Sequence, residues 1–208
     1  ETLPFANGSF DLAVSGLALH LVNDLPGALI QIRRALKPDG LFLAAVLGGR
    51  TLTELREALG AAEEEIDGGV SPRVAPFGDV RDYGALLQRA GFALPVTDAD
   101  KVEVTYASAV DLMRDLRGMG ASNMLTARRK RPLKRSILMR AGEIYGERFP
   151  APGGRISATF EIIHLTGWAP DPSQPKPLRP GSASARLADA LGTQERSAGE
   201  KAGPADKS

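Results

Sequence analysis

Two continuous apolar runs with one helical repeat between them constrain this chain most. FDLAV, from Phe10 to Val14, and LFLAAVL, from Leu41 to Leu47, lack the polar alternation of a half-exposed strand. Each reads as a strand buried on both faces, the kind that fills a parallel sheet. Between them Asn23 and Asp24 offer helix caps and Pro26 suits a first helical turn. Leu25, Leu29, Ile32 and Leu36 then recur at helical spacing, and Lys37-Pro38-Asp39-Gly40 stops the helix and turns the chain. Strand, helix and strand in this order predict a parallel pair joined by a crossover helix. A strand of this type needs neighbours on both sides, yet Phe10 stands almost at the start of the sequence. The first residue is Glu1 rather than Met, and the expectation is a piece of a longer chain or a processed product.

The alternation continues. Gly48-Gly49 ends the second strand, and Thr51 with Glu54 forms a capping-box pattern ahead of Leu52, Leu55 and Leu59. GGVSPRVAPFGD, from Gly68 to Asp79, reads as an ordered loop. Asp79 caps a helix carrying Leu86, Leu87 and Ala90, closed by Gly91. Two short β-like stretches are expected between Ala93 and Ala107. Ser108 and Asp111 start another helix, which ends at Gly118-Met119-Gly120. A longer helical repeat runs from Arg131 to Phe149, and the last strand is ISATFEIIHLTGW, Ile156 to Trp168. Beyond Ala169 the chain is rich in Pro and Ser, and its end past Gly192 is expected to be disordered.

Composition narrows the function classes. The 208 residues are 43% hydrophobic and 25% charged, with a formal net charge of +1. That charge exerts no global pull toward nucleic acid or membrane, and no apolar run reaches the ~20 residues of a membrane span. Zero cysteines exclude disulfides and thiolate metal sites. With two histidines in the whole chain, no metal site is expected. No glycine-rich phosphate loop follows a strand. The dense basic run RRKRPLKR, Arg128 to Arg135, fits an acidic partner, a phosphate or a membrane surface, or simply a solvated helix start. It has no interleaved aromatics for stacking bases, so nucleic-acid binding is not expected. Glu63, Glu64 and Glu65 read as an exposed helix end.

FDLAVSGLALHLVND, its following helix and LKPDGLFLAAVLGG resemble the fourth strand, fourth helix and fifth strand of class I S-adenosylmethionine-dependent methyltransferases. GGVSPRVAPF, LMRDLRGMGASN and ISATFEIIHLTGWAPDPSQPKPLRPGSA resemble, more specifically, the family of mitochondrial complex I assembly factors that includes an arginine hydroxylase. The relative that methylates malonyl-acyl carrier protein shares the first part and matches the end segment less well. The resemblance implies an α/β, incomplete Rossmann-like methyltransferase fold: parallel strands, an antiparallel final strand and added helices. It implies a C-terminal part of a methyltransferase-like domain over 1–169 with a helical insertion at about 108–149. A Pro/Ser-rich extension over 170–192 and a disordered tail over 193–208 follow.

The same resemblance implies S-adenosylmethionine as cofactor, with its glycine-rich loop lying upstream of Glu1. Methyl transfer is the implied activity; arginine hydroxylation or non-catalytic assembly of NADH:ubiquinone oxidoreductase is the alternative. A protein substrate, peripheral contact with a respiratory-complex subunit, and a bacterial cytoplasmic or mitochondrial matrix location go with it. Ser15, Gly16, Leu17 and His20, after the first strand, would line the cofactor. His20 fits either a general base or a pocket wall. Gly69, Ser71, Pro72 and Arg73 in the long loop, with Gly120 and Asn123 after a helix, would shape the substrate side, or else pack a surface crossover. No catalytic residue is assigned. The 208-residue chain alone is expected not to bind the cofactor appreciably.

Overall fold

A computed structural model describes residues 2–175, 189 and 191–193. The expected extension and disordered tail fall mostly outside the described residues. One unit runs Glu1–Pro172 and a second begins at Ser173.

Strand β1 (Phe10–Gly16) leads through a short 3-10 turn at Leu19–Leu21 into helix α1 (Leu25–Ala35). Asp24 caps α1 by accepting from the Gly27 N–H at 2.9 Å, and Pro26 occupies its first turn. Strand β2 (Leu36–Leu47) pairs parallel to β1, with Val14 opposite Leu43. The KPDG segment does not turn the chain out of the sheet, as its composition predicts. It makes an irregularity inside β2, where the register slips from Phe10↔Leu36 to Leu12↔Leu41 and Asp39 takes φ 59°. The strand ladder overrides the local turn signal there, and Ala169 donates back to Gly40 at 2.8 Å.

Helices α2 (Thr53–Asp67) and α3 (Val80–Ala90) follow, then the single long strand β3 (Ala93–Tyr106) in place of two short stretches. Its pairing with β5 runs almost unbroken from Val96 to Tyr106, and the one irregularity lies near its start. Helices α4 (Ala109–Gly118) and α5 (Arg135–Arg148), the short β4 (Pro150–Ala151) and β5 (Arg155–Trp168) complete the unit. The expected helix from Arg131 starts later, at Arg135. Pro132 disfavours helical backbone at the residue before it and cannot itself donate an N–H.

The strand order is β1-β2-β5-β3, with β4 on β5, and β5 runs antiparallel to both β2 and β3. Leu29, Phe42, Val46, Leu87, Ile163 and Leu165 form one core beneath α1 and α3. Leu55, Leu59, Leu112, Ile137, Ile144, Tyr145 and Ala158 form another around α2, α4 and α5. No helix among the described residues is long and apolar enough to cross a membrane.

β1 departs from the expectation of full burial. Among the described residues it pairs on one side only, so its other edge presents backbone groups without a strand partner there. Register places Leu12 beside Leu41, and Val14 in a row with Leu43, Thr166 and Val96 on one sheet face. Leu12, Val14, Leu43 and Val96 are all exposed, Val14 to 69%. The apolar run is that of a central strand, and its position here is an edge.

Candidate functional site

In open α/β sheets ligands gather beyond the carboxyl ends of the parallel strands. At that end of β1 the chain passes Ser15 and Gly16 and reaches Leu17, whose backbone adopts φ 49° and donates to Ala45 O at 2.9 Å. Gly16 is exposed, and a Cβ added there would meet no heavy atom within 4 Å. The backbone therefore faces open space, as close approach of a ligand requires. His20 follows in the 3-10 turn, half-buried, with its ring edge-on to Phe77 at 5.6 Å. Its Nδ1 is buried and has no hydrogen-bond partner among the described residues. Burial lowers the imidazole pKa from 6.5, which favours a neutral ring that can accept a proton.

Phe77 belongs to the loop 68–79, so the far end of that loop reaches the end of β1. Gly49 makes the same connection after β2: a Cβ added there would lie 3.4 Å from Phe77 O. The beginning of the loop is held elsewhere. Glu63 of α2 is fully buried and accepts from Ser71 N at 2.7 Å, from Arg73 Nε at 2.8 Å and from Arg73 Nη2 at 2.5 Å. Glu63 is thus a structural anchor, contrary to its reading as part of an exposed helix end. Glu64 and Glu65 are exposed, and Glu65 pairs with Arg140.

Of the residues assigned to a substrate loop, Asn123 and Pro72 come together, Asn123 Nδ2 donating to Pro72 O at 2.8 Å. Ser71 Oγ accepts from Arg129 N at 3.2 Å, which ties the basic run to the same loop. The Arg73 guanidinium is committed to Glu63 and fixes the loop. Gly69 and Gly120 have open space where a Cβ would stand, and Gly120 takes φ 75° to turn the chain after α4.

Thr51 and Glu54 do not form a capping box. Leu52 is the N-cap of α2 with φ 55°. Thr51 Oγ1 donates to Glu161 O at 3.2 Å, and Glu54 accepts from Thr159 N at 3.1 Å and Thr159 Oγ1 at 2.5 Å. Both side chains dock the start of α2 onto β5, a tertiary use that outweighs the local motif. His164 of β5 is exposed and lies 3.2 Å from Asp100 across the β3–β5 pair.

Sequence reasoning missed Glu63 and Phe77. Glu63 had a signal: Leu55, Leu59 and Glu63 recur every four residues, which puts the carboxylate on the apolar face of α2. Phe77 had none beyond being an aromatic in a loop.

The family described as "Methyltransferase domain" matches residues 1–44. The chain is 47% identical over 189 residues to the mitochondrial arginine-hydroxylase NDUFAF5 of Danio rerio, a match covering 91% of this chain and 59% of that protein. It is 38% identical over 170 residues to the malonyl-[acyl-carrier protein] O-methyltransferase of Laribacter hongkongensis, covering 82% of this chain and 54% of that protein. The chain thus spans little more than half the length of these relatives. The YcgJ protein of Bacillus subtilis shares the fold at 16% identity and a TM-score of 0.50, over 82% of this chain and 68% of that one. Residues 1–44 thus carry a methyltransferase-domain match, and the chain as a whole is similar to the arginine-hydroxylase NDUFAF5 proteins and to malonyl-[acyl-carrier protein] O-methyltransferases.

Proposed function

We propose that this chain is the substrate-facing part of an S-adenosylmethionine-dependent methyltransferase, completed by strands on the free side of β1. The observation that carries the reading is the end of β1. Open space beside the Gly16 backbone meets a half-buried His20 with an unpartnered Nδ1, at the strand end where α/β sheets bind ligands. Ser15, Gly16 and Leu17 would line one side of the cofactor, with His20 beside them. S-adenosylmethionine, when bound, supplies a methyl group made electrophilic by its sulfonium. The chain's own residues orient and shield it: His20 and Phe77 form a wall, and loop 68–79 with Asn123 bounds the substrate side. The exposed Leu12, Val14 and Leu43 support the reading of a sheet that is covered and extended there in the working protein.

The second reading is arginine hydroxylation of a protein, with peripheral contact to a respiratory-complex subunit. It is favoured by 47% identity to the NDUFAF5 proteins against 38% to the O-methyltransferase. A bacterial cytoplasmic or mitochondrial matrix location follows from whichever relative is the better guide. Incubating the complete gene product with methyl-labelled cofactor and cell extract, then weighing modified peptides, separates the two. Label transfer with the mass gain of a methyl group supports methyl transfer. A gain of one oxygen on an arginine without label supports hydroxylation.

A further inference from the structure

Loop 68–79 and the basic run before α5 share a second feature. Asp67, at the end of α2, accepts from Arg129 Nη1 and Lys134 Nζ, each at 2.5 Å. With the Arg129 N–H on Ser71, these bonds pin the basic run against α2 and the loop. Lys130 and Arg131 lie between the pinned positions, exposed, with no acidic partner among the described residues. They line a cavity of about 680 Å³ together with Asp67, Arg73, Arg129 and Lys134. Asp67 and Glu63 are the only carboxylates engaged with those cations among the described residues, so the cavity keeps a net positive charge. Arg73 also borders a neighbouring cavity of about 380 Å³, lined by Val70, Pro72, Val74 and Pro76.

We propose that the two cavities form a docking surface for an acidic polypeptide segment. Its carboxylates lie over Lys130 and Arg131, and an adjoining apolar side chain enters the cleft beside Pro72 and Val74. Charge complementarity selects an anion. The apolar cleft beside the cations selects a polypeptide, because inorganic phosphate would leave it empty. Nucleic acid would find no aromatic ring for its bases in the lining of either cavity. The stretch that carries them is pinned at Arg129 and Lys134 before binding, which limits the ordering cost of the backbone. This surface requires neither cofactor nor group transfer, so its test stands apart from that of the proposed activity.

The test is fluorescence anisotropy with a labelled peptide of alternating glutamate and leucine, in the absence of cofactor. Its counterparts are the same peptide with glutamine for glutamate, a single-stranded oligonucleotide of matched charge, and phosphatidylserine vesicles. The proposal predicts saturable binding of the acidic peptide that weakens about tenfold in K130E/R131E and falls with added salt. Arg81→Glu, on the exposed surface of α3, should leave it unchanged. Circular dichroism and the melting temperature of K130E/R131E should match the parent, since both side chains are exposed. Absence of peptide binding, equal binding by K130E/R131E or by the glutamine peptide, or binding of the oligonucleotide or vesicles as tight as that of the acidic peptide, would each overturn it.

Discussion

The buried Glu63 carboxylate and the Arg73 guanidinium meet through two hydrogen bonds, at 2.8 and 2.5 Å, and so fasten loop 68–79 to helix α2. Ser71 N adds a third donor to the same carboxylate. Removing one partner of such a pair leaves an uncompensated buried charge. Glu63→Ala is therefore expected to cost about 3–5 kcal/mol in urea denaturation. Replacing both partners together, as E63L/R73M, should restore much of that loss. Equal destabilisation by the single and double changes would show that the pair is not the anchor.

The Asn123–Pro72 bond lies nearer the surface and should count for less. Asn123→Ala is expected to lower global stability by about 1 kcal/mol or less. Its clearer effect should be faster protease cleavage within loop 68–79, with β5 unaffected. An unchanged cleavage rate would separate the 119–123 segment from the loop.

His20 gives the fold a pH dependence of definite sign. Burial holds its pKa below 6.5, so the unfolded chain takes up the proton first as pH falls. Stability contributed by the neutral ring is complete above the unfolded pKa and is lost as pH drops below it. The loss stops growing once pH has fallen through the folded pKa. The melting temperature of His20→Gln should accordingly fall less than the parent's between about pH 7.5 and about pH 5. Parallel curves for the two proteins would contradict this environment for His20.

The open side of β1 predicts self-association. Its unpaired edge and the exposed Leu12 and Val14 offer both a ladder and an apolar face. Leu12→Lys with Val14→Lys should reduce association measured by light scattering, while the melting temperature stays close to the parent's. Unchanged association would locate the sticky surface elsewhere.

These elements differ in how far the sequence exposes them. Helix α1 was readable to within a residue, because its cap at Asp24, its Pro26 and its apolar spacing all agree. Helix α3 was as plain, with Asp79 and Asp82 forming a true capping box. The parallel β1–β2 pair and the antiparallel β5 also follow from sequence and family resemblance. Where local chemistry and tertiary pairing compete, the sequence misleads. KPDG is absorbed into β2, and Thr51 and Glu54 turn to β5 rather than to their own helix. The placement of Ser15 to His20 at the end of β1 was legible through strand position. The contact of Phe77 with His20 depends on a loop path that no local pattern encodes.

In the proposed reading the end of β1 forms part of an S-adenosylmethionine site whose remainder lies on further strands. Isothermal titration of the cofactor tests it on two chains: the 208 residues alone, and a chain extended upstream to the length of the NDUFAF5 relatives. Gly16→Val serves as the probe, because the added side chain enters open space and should disturb only a ligand. The extended chain should bind saturably, about tenfold or more weaker with Gly16→Val, and the 208 residues should show no saturable binding at sub-millimolar cofactor. Micromolar binding by the 208-residue chain, or binding by the extended chain that Gly16→Val leaves untouched, would contradict it.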